Sequence, residues 1–306
     1  MLDVRRLRLL RELKHRGTLA AVAAALSYSP SAVSQQLAQL EVEAGVPLLE
    51  PVGRGVRLTA QAELLVTHTE AVLERLEQAK ADLAASSGTV AGTLRVASFQ
   101  TAALTLMPVA LSLLAERHPL LRVEVTELEP ETSLPALVAR AFDIAVAEEY
   151  PGRPAPHRLE LERQDLLSEP LRLAMPAHWG NVQGLAELAD RPWVMEPEGT
   201  SARAWSTAVC RTAGFEPDVR YTSTDVLLHV RLVETGHAAA LLPDLAGSPR
   251  TQTATVRPLP GRPARSIFTM VRRGAGRHPA VLALREAVHR AAQDRRRPSP
   301  DARGHA

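Results

Sequence analysis

Residues 17–59 read GTLAAVAAALSYSPSAVSQQLAQLEVEAGVPLLEPVGRGVRLT, and two helical patterns with a short break between them lie inside this stretch. The first, Leu19 to Leu26, is mostly alanine, the strongest helix former, and sets Leu19, Val22, Ala23 and Leu26 along one face. Thr18 stands before it as an N-cap. Ser27-Tyr28-Ser29 interrupts the pattern. Ser29 then caps a second helix, and Pro30 suits its first position, where no backbone N–H is needed. That helix is expected to run to about Ala44 and to be stopped by Gly45 and Pro47.

The two faces of the second helix differ in chemistry. Val33, Leu37, Leu40 and Ala44 recur at helical spacing and point inward. The opposite side carries Ser31, Ser34, Gln35 and Ala38, with Gln39 at its edge and no acid before Glu41. A helix that enters the major groove needs such a face: bulk meets the groove floor, acids meet phosphate, and glutamine pairs with adenine N6 and N7. A short helix, a tight turn and this second helix form a helix-turn-helix pattern. Two apolar segments from Pro47 to Leu58, around Gly53-Arg54-Gly55, read as a β-ribbon wing whose Arg54 and Arg57 reach phosphates. On pattern alone, an ordinary packed helical hairpin is the alternative.

The region resembles the winged helix-turn-helix of the LysR-type transcriptional regulators. The matching residues are Ala20-Ala21-Val22-Ala23, Ser31-Ala32-Val33-Ser34-Gln35-Gln36-Leu37, Leu40-Glu41, Gly45-Val46-Pro47-Leu48-Leu49-Glu50 and Gly53-Arg54-Gly55-Val56-Arg57-Leu58-Thr59. Three positions depart from the family pattern. Gln35 stands where many members carry Arg, Pro51 replaces the Arg that usually follows Glu50, and Ala62 replaces a common Gly. The first two departures bear on the operator bases read and on one phosphate contact. The resemblance implies a regulator that binds double-stranded DNA and answers to a small-molecule effector.

With 306 residues and 45% apolar content, the chain is long enough for two or three compact units with real cores. The net charge of +2 excludes a nonspecific polycation. Lys14 and Lys80 are the only lysines among 36 basic residues, so the arginine excess reflects coding composition and is not counted as a binding signal. Residues 1–58 still hold eight basic against five acidic groups, a modest basic footprint that a dimer doubles. Cys210 is the sole cysteine, so an intramolecular disulfide is impossible. Arg5, Arg6, Arg8 and Arg11 interrupt the start of the chain, and no apolar run approaches the roughly 20 residues of a membrane span, so a cytoplasmic protein is expected.

Asp3 to His15 reads as a first helix with Val4, Leu7, Leu10 and Leu13 inward. Thr59 caps a long helix to about Ser86, on which Leu65, Thr69, Val72, Leu76, Ala79 and Leu83 alternate at four and three, the seam of paired helices. The seam packs either on a second copy or on this chain's next domain. In LysR-type proteins the matching helix is the dimerisation element, which implies a homodimer or homotetramer.

Beyond Ser86-Ser87-Gly88, strand and helix alternate. Strands are expected at Thr93–Ser98, Arg122–Glu127, Asp143–Ala147, Leu171–Met175, Pro192–Met195, Ala238–Leu242 and Ser266–Arg272. Helices fall at Thr101–Arg117, Pro130–Arg140, Ser201–Ala213, Asp225–Thr235 and His278–Ala292. The economical architecture is two α/β lobes, with the chain crossing near Asp165–Glu169 and returning near Pro258–Arg265. Phe142-Asp143-Ile144-Ala145-Val146, Pro176-Ala177-His178 and Gly236-His237-Ala238-Ala239-Ala240-Leu241-Leu242-Pro243 resemble the periplasmic-binding-protein-like effector domain of the same family. The expected fold is therefore α/β overall, in four parts. These are a winged helix-turn-helix over 1–58, a linker helix over 59–88, an effector domain over 89–293 and a disordered tail over 294–306. Lobe I is placed at 89–165 and 266–293, and lobe II at 166–265.

Ligands of parallel α/β units gather at the carboxyl ends of strands. Ser98, Phe99, Gln100 and Thr101 form one such turn; Thr200 and Ser201, with Arg203 in the first helical turn, form another. Glu148 and Asp225 complete the candidate set, and these mixed charges suit an amino-acid-like or amine effector. Taken singly, each residue also fits an ordinary helix cap. No HExxH, GxSxG, GxxxxGK[ST] or CxxC pattern occurs, so no enzyme chemistry, metal or cofactor is expected. The competing readings are a winged-helix oxyanion sensor of the molybdate-responsive kind and an enzyme or solute-binding protein on the two-lobed fold.

Overall fold

The computed structural model describes residues 1–306 apart from 27, 54, 156–157, 248–252 and 297–306. The chain divides into two compact units, Met1–Ser86 with Arg272–His278, and Ser87–Val271 with the segment from Pro279 onward.

The first unit is built from α1 (Val4–Arg16), α2 (Leu19–Leu26), α3 (Pro30–Ala44), the hairpin β1 (Leu49–Val52) and β2 (Gly55–Leu58), and α4 (Ala60–Ser86). Its helix ends are chemically specified. The Asp3 carboxylate accepts from Arg5 N at 2.7 Å, Thr18 Oγ1 from Ala21 N at 3.1 Å, and Ser29 Oγ from Ala32 N at 3.1 Å. Gly45 ends α3 at φ +70°, where a side chain would strain the backbone. Leu10, Leu13, Val22, Val33, Leu37 and Leu40 form the core. Glu41 accepts from Leu48 N and Leu49 N at 2.8 and 3.0 Å, which fixes the wing against the back of α3. Val4, expected inward, is 40% exposed because it opens the helix; Leu9 is buried instead.

The second unit carries β3 (Gly92–Ser98), α5 (Gln100–Thr105), α6 (Met107–Arg117), β4 (Leu121–Glu127), α7 (Pro130–Val138), β5 (Ile144–Glu149) and β6 (Leu161–Pro176). It continues with β7 (Pro192–Met195), α8 (Ser201–Thr212), β8 (Asp218–Thr222), α9 (Val226–Glu234), β9 (Ala240–Pro243), β10 (Ala254–Pro258), β11 (Ala264–Arg272) and α10 (Pro279–Arg296). One sheet has the order β10-β6-β11-β5-β3-β4, with β9 also on β6, while β7 and β8 pair apart. β3 is parallel to β4 and β5, and β11 closes antiparallel on β5. The long strand β6 and the returning β11 connect the lobes.

Four expectations change here. The first half of β6 is hidden in the sequence by the polar run Glu162 to Asp165, whose side chains are exposed or half-buried while the backbone keeps its strand conformation. The helix expected over Thr101–Arg117 divides at Leu106, because Pro108 in the first turn of α6 has no N–H to continue α5. Strands β8 and β10 are additional to those expected. The last helix runs to Arg296, past the Asp294 at which the tail was expected to start, and 297–306 lie outside the described residues.

The Ser29 cap supports α3 directly. Ser29→Ala should lower the stability of this unit by about 1 kcal/mol, whereas Ser29→Asp should retain it. Amide hydrogen exchange across α3 in the full chain will measure the difference.

Candidate functional site

Two surfaces and one cleft hold the candidate residues. On α3, Ser31, Ser34, Gln35 and Gln39 are all exposed on the side opposite Val33, Leu37 and Leu40. Ser31 Oγ lies 3.0 Å from Ser29 Oγ, and the neighbouring Gln36 accepts from Arg6 Nε at 2.9 Å. In the wing, Arg57 is exposed and its Nε donates to Glu50 Oε1 at 2.7 Å. Arg54 lies outside the described residues.

The apolar line on α4 is split. Leu65 packs against the unit's own core, and Thr69 is buried with its hydroxyl on Leu65 O at 2.8 Å. Further along, Val72 and Ala79 are exposed, Leu76 is 43% exposed and Leu83 is 73% exposed. The packing of α1 against the start of α4 accounts for this division. The open seam therefore begins at Val72.

Within the second unit, a cleft between the lobes is lined by Phe99, Gln100, Thr101, Glu148, Thr200 and Ser201, six of the nine effector residues expected from sequence. Ser98, Arg203 and Asp225 do not line it. Ser98 is fully buried, Arg203 gives Nη1 to Glu196 O at 3.1 Å, and Asp225 caps α9 through Leu227 N at 2.9 Å. Hydrogen bonds also cross the cleft. Gln100 Nε2 donates to Asp225 Oδ1 and Gln100 Oε1 accepts from Val226 N, both at 2.7 Å. Glu131 Oε1 accepts from Ser201 N and Oγ at 2.8 and 2.7 Å.

The cleft wall also contains Glu129, Glu131, Tyr150, Glu196 and Arg265, none of which sequence reasoning selected. Glu129 and Glu196 follow β4 and β7, so the strand-end rule that found Glu148 also points to them. Arg265 offers no local signal. Its buried guanidinium meets Glu148 and Glu169, donates from Nη2 to Thr101 Oγ1 at 2.6 Å, and lies 3.4 Å from the Tyr150 hydroxyl. Tyr150 in turn donates to Glu148 Oε1 at 3.0 Å. Glu148 and Thr101 are thus committed to Arg265.

Burial sets the protonation of these acids. It raises the Glu129 carboxyl to about 8, helped by repulsion from Glu148, Glu131 and Glu196. Burial also lifts Glu148 to about 7 against the opposing pull of Arg265, and it raises Glu169 and Glu196. Cys210 is fully buried in α8, and burial pushes its thiol up to about 12, so it stays protonated.

A reading helix with a wing, joined in one chain to a two-lobed α/β unit with a polar cleft, defines a ligand-responsive DNA-binding protein. Residues 4–63 match the family described as bacterial regulatory helix-turn-helix protein, lysR family, and residues 87–293 match the LysR substrate binding domain. The chain belongs to the LysR family and is a DNA-binding transcriptional regulator with an effector domain. A probable hydrogen peroxide-inducible genes activator of Streptomyces viridosporus is 31% identical over 280 residues, covering 87% of this chain and 88% of that protein. The probable HTH-type transcriptional regulator LrrA of Synechococcus elongatus is 28% identical over 300 residues, covering 96% and 98%. A full-length OxyR variant from Pseudomonas aeruginosa shares the fold at a TM-score of 0.59 and 21% identity, covering 94% of this chain and 95% of that one.

The acid cluster makes stability depend on pH. A carboxyl whose pKa is higher in the folded chain holds its proton there while the unfolded chain releases it, so stability falls between pH about 4.5 and about 8. Glu129→Gln removes that contribution. The fall in thermal midpoint across this window should be smaller in the variant, as calorimetry of both proteins over pH will measure.

Proposed function

We propose that α3 reads operator bases through Ser31, Ser34, Gln35 and Gln39, while Arg54 and Arg57 hold the flanking phosphates. The observation that carries this reading is the exposed α3 face, which combines small and amide side chains with no acid before Glu41. Two copies pair through Val72, Leu76, Ala79 and Leu83, since a monomer leaves these apolar side chains in water. The cleft beside Arg265 receives the effector, and its occupancy changes how the paired reading helices engage DNA. A ligand has this effect only by favouring one lobe arrangement over another. The chain works in the cytoplasm, where the chromosome is, and catalyses no reaction of its own. In support, its named relatives are transcriptional regulators, and no helix among the described residues is long and apolar enough to cross a membrane.

Some relatives are named for a peroxide response, and family membership by itself does not assign that response to this chain. This chain has one cysteine, so no disulfide can form within it, and burial keeps that thiol protonated and shielded.

Gel shift on DNA flanking its own gene tests the regulatory reading, and two variants test the assignments within it. Gln35→Ala should weaken the cognate complex by about 1–3 kcal/mol and relax base preference. Arg57→Ala should weaken binding to every sequence and reduce the salt slope by about 1. Equal losses on cognate and random DNA in both variants would show that Gln35 is not a base contact.

Leu76→Asp should place an unpaired charge in the seam and shift the protein to monomers in sedimentation velocity. Operator affinity should fall with it, because a monomer presents one reading helix to a two-half-site operator. An undisturbed oligomer would retire this seam.

A further inference from the structure

We infer that the cleft selects a small organic cation, an alkylammonium or guanidinium group seated between Glu129 of one lobe and Glu196 of the other. This rests on the cleft being the effector site and narrows the chemistry it accepts.

The first argument concerns donors. At the N-terminus of α8 a ligand carboxylate would compete for the Ser201 N–H and hydroxyl, which Glu131 already holds at 2.8 and 2.7 Å. The Gln100 amide is committed to Asp225 and Val226 N. Arg265, the only basic side chain on the cleft wall among the described residues, directs its donors at Glu148, Glu169, Tyr150 and Thr101. Arg203 spends its guanidinium on a backbone oxygen. The built-in carboxylate of Glu131 thus occupies the anion position at that helix end.

The second argument concerns acceptors. Glu129 precedes α7 yet makes no capping bond with its side chain, and no cation among the described residues pairs with it. Glu196 is half-buried; its carboxylate accepts from its own backbone N–H and feels Arg265 and Arg203, but among the described residues it forms no ion pair with either, and Arg203 donates to its carbonyl. Among the described residues, four glutamates line the cleft against one arginine. Closing the lobes on an anion adds repulsion to this excess, whereas closing them on a cation relieves it.

The groups facing Glu129 and Glu196 are Glu131, Glu148, Tyr150, Arg203 and Arg265, and burial raises the Glu129 carboxyl to about 8, so it is mostly protonated near neutrality. A bound cation therefore displaces protons. Size is bounded as well. The cleft leaves about 30 Å³ for the centres of water molecules, room for about two.

The test is titration calorimetry of the full chain with methylammonium, guanidinium and acetate, at pH about 8.5 and about 6 in buffers of different ionisation heat. Both cations should bind with proton release, and at least about tenfold more weakly at the lower pH. Glu129→Gln and Glu196→Gln, checked for fold by circular dichroism, should each weaken them by about tenfold or more. Acetate binding that is lost in Ser201→Ala, with no cation binding, would overturn the cation and leave the cleft as an anion effector site. Cation binding that is unchanged in both glutamine variants would place the cation elsewhere and overturn its seat between Glu129 and Glu196. No heat from either cation at the higher pH would overturn the selectivity, and a gel shift that responded to another metabolite would leave the cleft as the effector site.

Discussion

The buried guanidinium of Arg265 organises the effector unit. It sits on β11 where the chain returns between lobes and meets Glu148 from β5, Glu169 from β6 and Thr101 from α5. A charge so enclosed is tolerable only when its donors are satisfied, and removing one partner leaves another charge stranded. Such a cluster is weak evidence for net stability, because desolvation offsets much of the attraction. Its consequence is geometric. With Arg265 held from several elements, the crossing strands have a defined register at the base of the cleft, and Glu148 and Thr101 belong to that frame.

The same constraint divides the acids in and beside the cleft into three kinds. Glu148 and Glu169 balance Arg265, Glu131 bridges to the N-terminus of α8, and Glu129 and Glu196 remain without a paired cation among the described residues. Helix N-termini favour anions, so a carboxylate supplied by the chain at α8 both stabilises that end and occupies its donors. The upward pull on Glu129 follows from burial and from repulsion by its acidic neighbours, and that on Glu196 from burial.

The DNA-binding unit solves a different problem with simpler means. Val33, Leu37 and Leu40 anchor α3 through one face, and Glu41 ties its far end to the wing by two backbone N–H groups. The opposite face of α3 is therefore free to carry the short and amide-bearing side chains Ser31, Ser34, Gln35 and Gln39. Arg57 pairs with Glu50 at 2.7 Å in an exposed ion pair, so the phosphate contact proposed for Arg57 would have only a weak pair to displace.

The first unit was legible from sequence because its signals are local. Caps act within three residues, helix faces repeat within four, and Thr18, Ser29, Gly45 and Thr59 each mark an end that the structure also shows. The strand-end rule likewise brought Glu148, Thr101 and Ser201 to one cleft. Tertiary structure alone decided what those residues do there. Arg265 lies 117 residues from Glu148, 96 from Glu169 and 164 from Thr101, and no local pattern encodes a contact at such separations. The exposed acids and amides at the start of β6 look like a loop until neighbouring strands make that backbone a ladder. Leu65 and Leu76 share one periodic line, yet only the placement of α1 puts the first in a core and leaves the second in water. Local sequence specifies which segments form; burial and charge pairing between distant segments specify which of their side chains remain free to act.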